Sequence, residues 1–149
     1  MRLKTPVRLF MLMLFLFALT AQAYAQENCL SYDTDGAQLT GTISRKTFPG
    51  PPNYESIKKG DKPETYWILH LAKPICTMVS GDNDAEKNVN DLQLILTEKQ
   101  FALYRRFVDK RARVTGKLSH AITGHHHTPV LMEVTGIRRN DERGTMNAE

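Results

Sequence analysis

The residues best able to do chemistry crowd into one short stretch, Gly124-His125-His126-His127-Thr128-Pro129. Neutral imidazole nitrogen ligates both Zn²⁺ and Cu²⁺. Adjacent side chains on an extended loop diverge, so His125 and His127 are the natural pair for one ion. His120 or His70 can complete the set if the fold brings it near. On that reading the chain is a metal-binding protein, a carrier or a metal-dependent hydrolase built on the loop. The plainer alternative needs no cofactor. Loop imidazoles hydrogen-bond to backbone carbonyls across a hairpin, or stack on Tyr54 or Tyr66, and this is the reading preferred here.

Conventional catalysis finds little support. Gly-x-Ser-x-Gly, His-Glu-x-x-His and a phosphate-binding loop are all absent from the sequence. Ser119 and His120 are neighbours on an expected strand and point to opposite faces, so they do not make a nucleophile–base pair. Glu55, Asp61 and Glu64 share a long polar segment and carry the charge pattern of a solvated loop. No enzymatic activity is therefore expected.

The two cysteines, Cys29 and Cys76, are too far apart for a Cys-x-x-Cys redox site. Their setting is given by the amino terminus. Arg2, Lys4 and Arg8 precede an unbroken apolar run from Leu9 to Leu19, and Ala23-Tyr24-Ala25 supplies small residues at −3 and −1. This is the pattern of a secretory signal peptide spanning residues 1–25. The run is about half of the roughly 20 apolar residues that a spanning helix needs. The expected mature protein begins at Gln26, with cleavage after Ala23 as the alternative, and keeps no membrane span. Its place is the periplasm or the exterior, where two cysteines without other partners form one disulfide.

Removal of the signal also settles the charge. Twenty Lys and Arg stand against sixteen Asp and Glu; without Arg2, Lys4 and Arg8 seventeen remain, a net charge of +1. The basic balance that would favour nucleic acid largely disappears. The remaining length suits one domain with a single core, over residues 26–138. From Arg138 onward the chain is polar and charged, and residues 139–149 read as a disordered tail.

Five strands and one helix must position the candidate residues. Leu39, Gly41 and Ile43 alternate with polar residues in a first strand. A long Pro/Gly-rich loop, 49–63, contains Asn53 and Tyr54. The second strand, Tyr66–Leu71, turns Trp67, Leu69 and Leu71 to the core, and Tyr66, Ile68 and His70 to the other face. After a turn at 81–84 comes a third strand, 92–96. Thr97 then caps a helix of about three turns, with Gln100 at the reciprocal position and Phe101, Tyr104 and Val108 on its apolar face. Arg105, Arg106 and Lys110 read as its solvated end. Ala112, Val114, Gly116 and Leu118 mark the fourth strand, and Val130, Met132 and Val134 the fifth. The expected core is Leu39, Ile43, Trp67, Leu69, Leu94, Phe101, Val114, Leu118 and Val134.

Three strands, a helix, then two strands is the element order of the OB-fold, a mainly β five-stranded barrel. Gly41, Gly116 and Gly136 suit the bends and close approaches of a small barrel. In that fold the loops joining strands one to two and four to five flank one ligand-binding face. Here they are the two unusual loops. Asn53 and Tyr54 are expected beside His125, His126 and His127, with Tyr66 and His70 on the adjoining sheet. Such a surface suits a non-enzymatic binding or inhibitor module of the cell envelope, with a glycan, a peptide or another envelope protein as partner.

The segments Thr47–Glu55, Tyr66–Leu69, Lys73–Cys76, and Val114–Leu118 through the His-rich loop to Leu131 resemble an uncharacterised family of small exported bacterial proteins, the domain-of-unknown-function family 4431. The resemblance implies a bacterial exported domain. It implies no established activity and transfers no catalytic residue.

Overall fold

The computed structural model of the protein describes residues 28–32 and 34–140. The signal-peptide reading and residues 141–149 of the expected tail lie outside them. The strands are β1 (Ala37–Pro49), β2 (Pro63–Ile75), β3 (Val89–Ile95), β4 (Arg111–His120) and β5 (Val130–Arg139). One helix, α1 (Glu98–Tyr104), stands between β3 and β4. The strands close into a barrel in the order β1-β2-β3-β5-β4, with β3 and β5 parallel and every other pair antiparallel. This is the OB-like arrangement expected from the element order.

Alternation builds the core. Ile43, Leu69 and Leu92 are register partners across β1, β2 and β3, and all three are fully buried. Leu39, Trp67, Leu94, Val114, Leu118 and Val134 are buried with them, as expected. Ala112, Val130 and Met132 continue the same inward face. Two of the three barrel glycines are required by close approach. A Cβ on Gly41 would lie 2.2 Å from the His70 carbonyl oxygen, and one on Gly116 would lie 2.3 Å from that of Glu133. Gly136 meets nothing within 4 Å and instead borders the register shift between β4 and β5, the bend rather than the close approach of the expectation.

The helix is capped as read. The Thr97 N–H donates to Gln100 Oε1 at 2.8 Å, and the Gln100 N–H returns to Thr97 Oγ1. It is shorter than expected, because the chain tightens into a 3-10 turn at Arg105–Phe107 and is then drawn back to β1. Asp109 takes a positive φ of 60°, its N–H donates to the Ile43 carbonyl, and the Ile43 N–H donates to that of Lys110. Phe101 is only partly buried, edge-on to Trp67 at 5.2 Å, and Phe107 from the 3-10 turn enters the core instead.

Cys29 and Cys76 form a disulfide, and the Leu30 N–H donates to the Cys76 carbonyl beside it. β5 runs one residue past the expected domain edge, because Arg138 and Arg139 pair with Arg113 and Ala112 on β4. Among the described residues no helix is long and apolar enough to cross a membrane.

Candidate functional site

Loop L12 (residues 50–62, between β1 and β2) is organised by one carboxylate. Asp61 is buried and accepts the N–H groups of Asn53, Glu55 and Ser56 at 2.9, 2.8 and 2.7 Å. Those backbone donors hold its carboxyl below the usual range. The solvated-loop reading of Asp61 is thus corrected: it is the internal anchor of the loop. The loop presents Tyr54, which takes a φ of 59°.

Loop L45 (residues 121–129, between β4 and β5) folds over the outer face of the barrel. Ile68, Gln93 and Leu131 are register partners across β2, β3 and β5 on that face, and all are buried. The Gln93 side chain pins the loop with both its polar atoms. Its Nε2 donates to the His125 carbonyl at 3.0 Å, and its Oε1 accepts the His127 N–H at 2.8 Å. Thr128 Oγ1 accepts the Gln93 N–H and donates to the Val130 carbonyl.

The two unusual loops meet. The Tyr54 ring lies over Gly124, where an added Cβ would stand 3.2 Å from three ring carbons. His125 sits between the loops. Its Nδ1 is 2.8 Å from Glu64 Oε2, and Tyr54 Oη is 3.1 Å from its Nε2. A carboxylate only accepts, so in the neutral ring Nδ1 carries the proton and Nε2 accepts from Tyr54. Tyr66 Oη donates to the same Glu64 oxygen at 2.9 Å. The His125 hydrogen bond holds the Glu64 carboxyl below its ordinary range. Desolvation, and then the Glu64 carboxylate, push the Tyr66 phenol up to about 12.

The other two loop histidines turn elsewhere. His126 Nδ1 accepts the N–H groups of Ile122 and Thr123 at 2.9 and 3.3 Å, so this ring caps its own turn. His127 stacks on Phe48, with ring centres 4.1 Å apart and planes 1° from parallel, and its Nε2 is buried without a hydrogen-bond partner. Desolvation lowers the pKa of both rings. Stacking and hydrogen bonding were the plainer expectation for this loop; the aromatic partner of His127 is Phe48, with Tyr66 at 5.2 Å.

The expected metal set of His125, His127 and His120 does not assemble. His120 faces Glu86 at 3.4 Å, packs edge-on to Tyr32 and has its Nδ1 2.9 Å from the Ala121 carbonyl. Among the described residues no group of three or more His, Cys, Asp and Glu side chains is arranged to hold a metal ion. The reason is local: the turn aims consecutive imidazoles in different directions, His125 at Glu64, His126 at its own turn and His127 onto Phe48. Asn53 also stands apart. Its backbone N–H donates to Asp61, and the residue is exposed.

His70 lies on the same outer face but in other company. Ser44 Oγ is 2.7 Å from its Nε2, and Asp91 Oδ1 is 2.6 Å from its Nδ1. The three residues come from β1, β2 and β3, and none is fully buried. By the argument used for His125, the ring donates to Asp91 and accepts from Ser44. Neither Ser44 nor Asp91 was legible in sequence, where they are 47 positions apart by number and fit no motif. Glu64 and Phe48 were missed for the same reason, although polar and aromatic residues flanking the first loop were a usable signal.

Fold and site together define a small OB-like barrel with two interlocked loops over one face. The model of the family described as Domain of unknown function (DUF4431) matches residues 91–138, from the start of the His70–Asp91 contact through L45 and into the end of β5. The resemblance seen in the sequence holds over that stretch. No curated protein matches the chain.

Proposed function

We propose that the protein is an exported binding module of the cell envelope, and that its ligand surface is formed by Tyr54, Glu64, Tyr66 and His125. The observation that carries this reading is the lock between L12 and L45 through His125. Two loops, each anchored internally by Asp61 or Gln93, are also tied to each other, so aromatic rings, a carboxylate and phenol hydroxyls are held ready before a ligand arrives. Preorganised polar groups beside aromatic rings reduce the entropy cost of binding. Such a surface suits a glycan or a peptide, each of which offers an apolar face and a line of hydrogen-bonding groups. The disulfide and the signal pattern support export. Affinity capture from envelope extract tests the reading. Wild type should retain at least one component roughly tenfold more strongly than Tyr54→Ala/His125→Ala, a difference of about 1.4 kcal/mol. Equal retention of every component by two equally folded proteins would place the surface elsewhere.

A second reading is favoured by one observation, the Ser44–His70–Asp91 relay. Its hydrogen bonds run in the sense of an oriented base beside a hydroxyl nucleophile. On this reading Ser44 Oγ attacks an ester carbonyl and His70 Nε2 takes its proton. His70 then gives that proton to the departing alcohol, and water releases the acyl group from Ser44. A fluorophosphonate probe with intact-mass detection tests it. The expected adduct sits on Ser44 and is lost in His70→Ala; wild type without an adduct discards the reading.

A further inference from the structure

We infer that the protein carries a second site, at the junction of β4, β5 and the 3-10 turn, that takes a ligand bearing two or more phosphate groups. A cavity of about 580 Å³ there is lined by Arg106, Phe107, Lys110, Arg111 and Arg139. The volume is in the range of sites that hold small ligands. Four of the five residues are cations, and no carboxylate among the described residues lines the cavity. None of the four forms an ion pair with an acidic residue among the described residues.

The cations are positioned by the fold. Arg106 lies over the Phe107 ring, 5.0 Å from its centre, and Phe107 itself is buried. Lys110 follows the positive-φ Asp109, and its backbone bonds to Ile43 and Phe107. Arg139 is the register partner of Ala112, a fully buried inward-facing residue with little bulk, so it stands at the rim of the barrel interior. Arg111 adjoins that pair and is the partner of Thr42. A second cavity next to the first adds Arg45 and Arg105, with Asp109 as its one acid.

A cleft lined by a single sign of charge focuses the field and concentrates counter-charge. Guanidinium groups form forked hydrogen bonds with phosphate oxygens, and three of the four cations are arginines. The arrangement is notable in a chain whose expected mature form is nearly neutral, because charge gathered at one end is unbalanced locally rather than by composition. One phosphate group carries a charge of about −1.5 to −2 near neutral pH, so four cations without acidic neighbours point to a multiply phosphorylated ligand. A phosphorylated small molecule and the headgroups of an anionic lipid surface share that chemistry.

Two measurements on the disulfide-bonded protein lacking residues 1–25 test the inference and separate the sources. Tripolyphosphate is titrated calorimetrically at two salt concentrations. Flotation is then measured with vesicles of phosphatidylglycerol and phosphatidylcholine against phosphatidylcholine alone. Binding should weaken with salt. It should fall at least tenfold in Arg106→Gln/Arg139→Gln. It should be unchanged in Lys58→Gln/Lys87→Gln, which removes the same charge outside the cavity. Tripolyphosphate binding alone identifies a soluble phosphorylated ligand, and flotation identifies a headgroup. Absence of both, or an equal fall in the two double variants, overturns the site.

Discussion

At the scale of single residues, the strongest constraints come from places where the barrel leaves no room. Trp67 is buried at 6 % exposure, and its ring fills the end of the core against Phe101. Trp67→Ala should cost about 3–5 kcal/mol, the range for deleting a large buried ring. A denaturant titration reads this directly, and an unchanged midpoint would contradict the packing. Gly116 tolerates no side chain, because its Cβ would meet a backbone oxygen that cannot swing away. Gly116→Ala should destabilise by at least about 1–3 kcal/mol, as overpacking does. Gly136→Ala, with open space around it, should leave the melting temperature within a degree or two.

At the scale of elements, the two loops owe their order to side chains that replace a missing backbone ladder. Asp61 does this for L12 and Gln93 for L45. Asp61→Ala leaves three backbone N–H groups without their acceptor. Amide exchange at Asn53, Glu55 and Ser56 should accelerate at least tenfold, while the barrel amides keep their protection. Gln93→Leu keeps the bulk beside Ile68 and Leu131 but removes both loop bonds. Exchange at His127 should then rise with little change at Ser56, because the two anchors act on different loops. Coupled acceleration in both loops would show instead that the His125 contact, and not the anchors, carries the order.

For the whole molecule, stability should fall as pH falls. Asp61, Glu64, His126 and His127 all have pKa values lowered in the folded state. A group with a depressed folded pKa binds fewer protons folded than unfolded. Its contribution is complete above the unfolded value and is lost as pH falls through the folded one. The histidines therefore act first, below their ordinary 6.5, and the carboxylates follow below 4.5 for Glu64 and 3.8 for Asp61. His127→Phe keeps a ring on Phe48 and cannot be protonated, so it should flatten the decline between about pH 7 and 5 that this linkage produces. The alkaline side has the opposite sign. Tyr66 is raised to about 12, so its contribution is complete below 10 and disappears between those values. Melting temperature against pH measures both limbs. Reduction of Cys29–Cys76, 47 residues apart, should lower stability by up to about 4 kcal/mol through the freed chain.

Much of the barrel was legible because its signals are local and periodic. Alternation at Leu39–Ile43, Trp67–Leu69 and Val114–Leu118 shows which side of each strand is inward, and Thr97 with Gln100 marks a helix start within four residues. Strand lengths were underestimated, since Arg45–Pro49 and Ile137–Arg139 are held by partners and not by their own pattern. The meeting of L12 and L45 followed from element order, because that topology opens both loops on one face. What the sequence by itself determined was therefore the inward faces, the cap, the cysteine pairing and the neighbourhood of the two loops. Only the tertiary structure decided which polar groups touch. Asp61 turned inward, Glu64 reached His125, His127 found Phe48, and Ser44 and Asp91 met at His70. All but the first of these join residues from separate elements, and the worth of each depends on direction and distance to within about an ångström, which no pattern along a chain encodes.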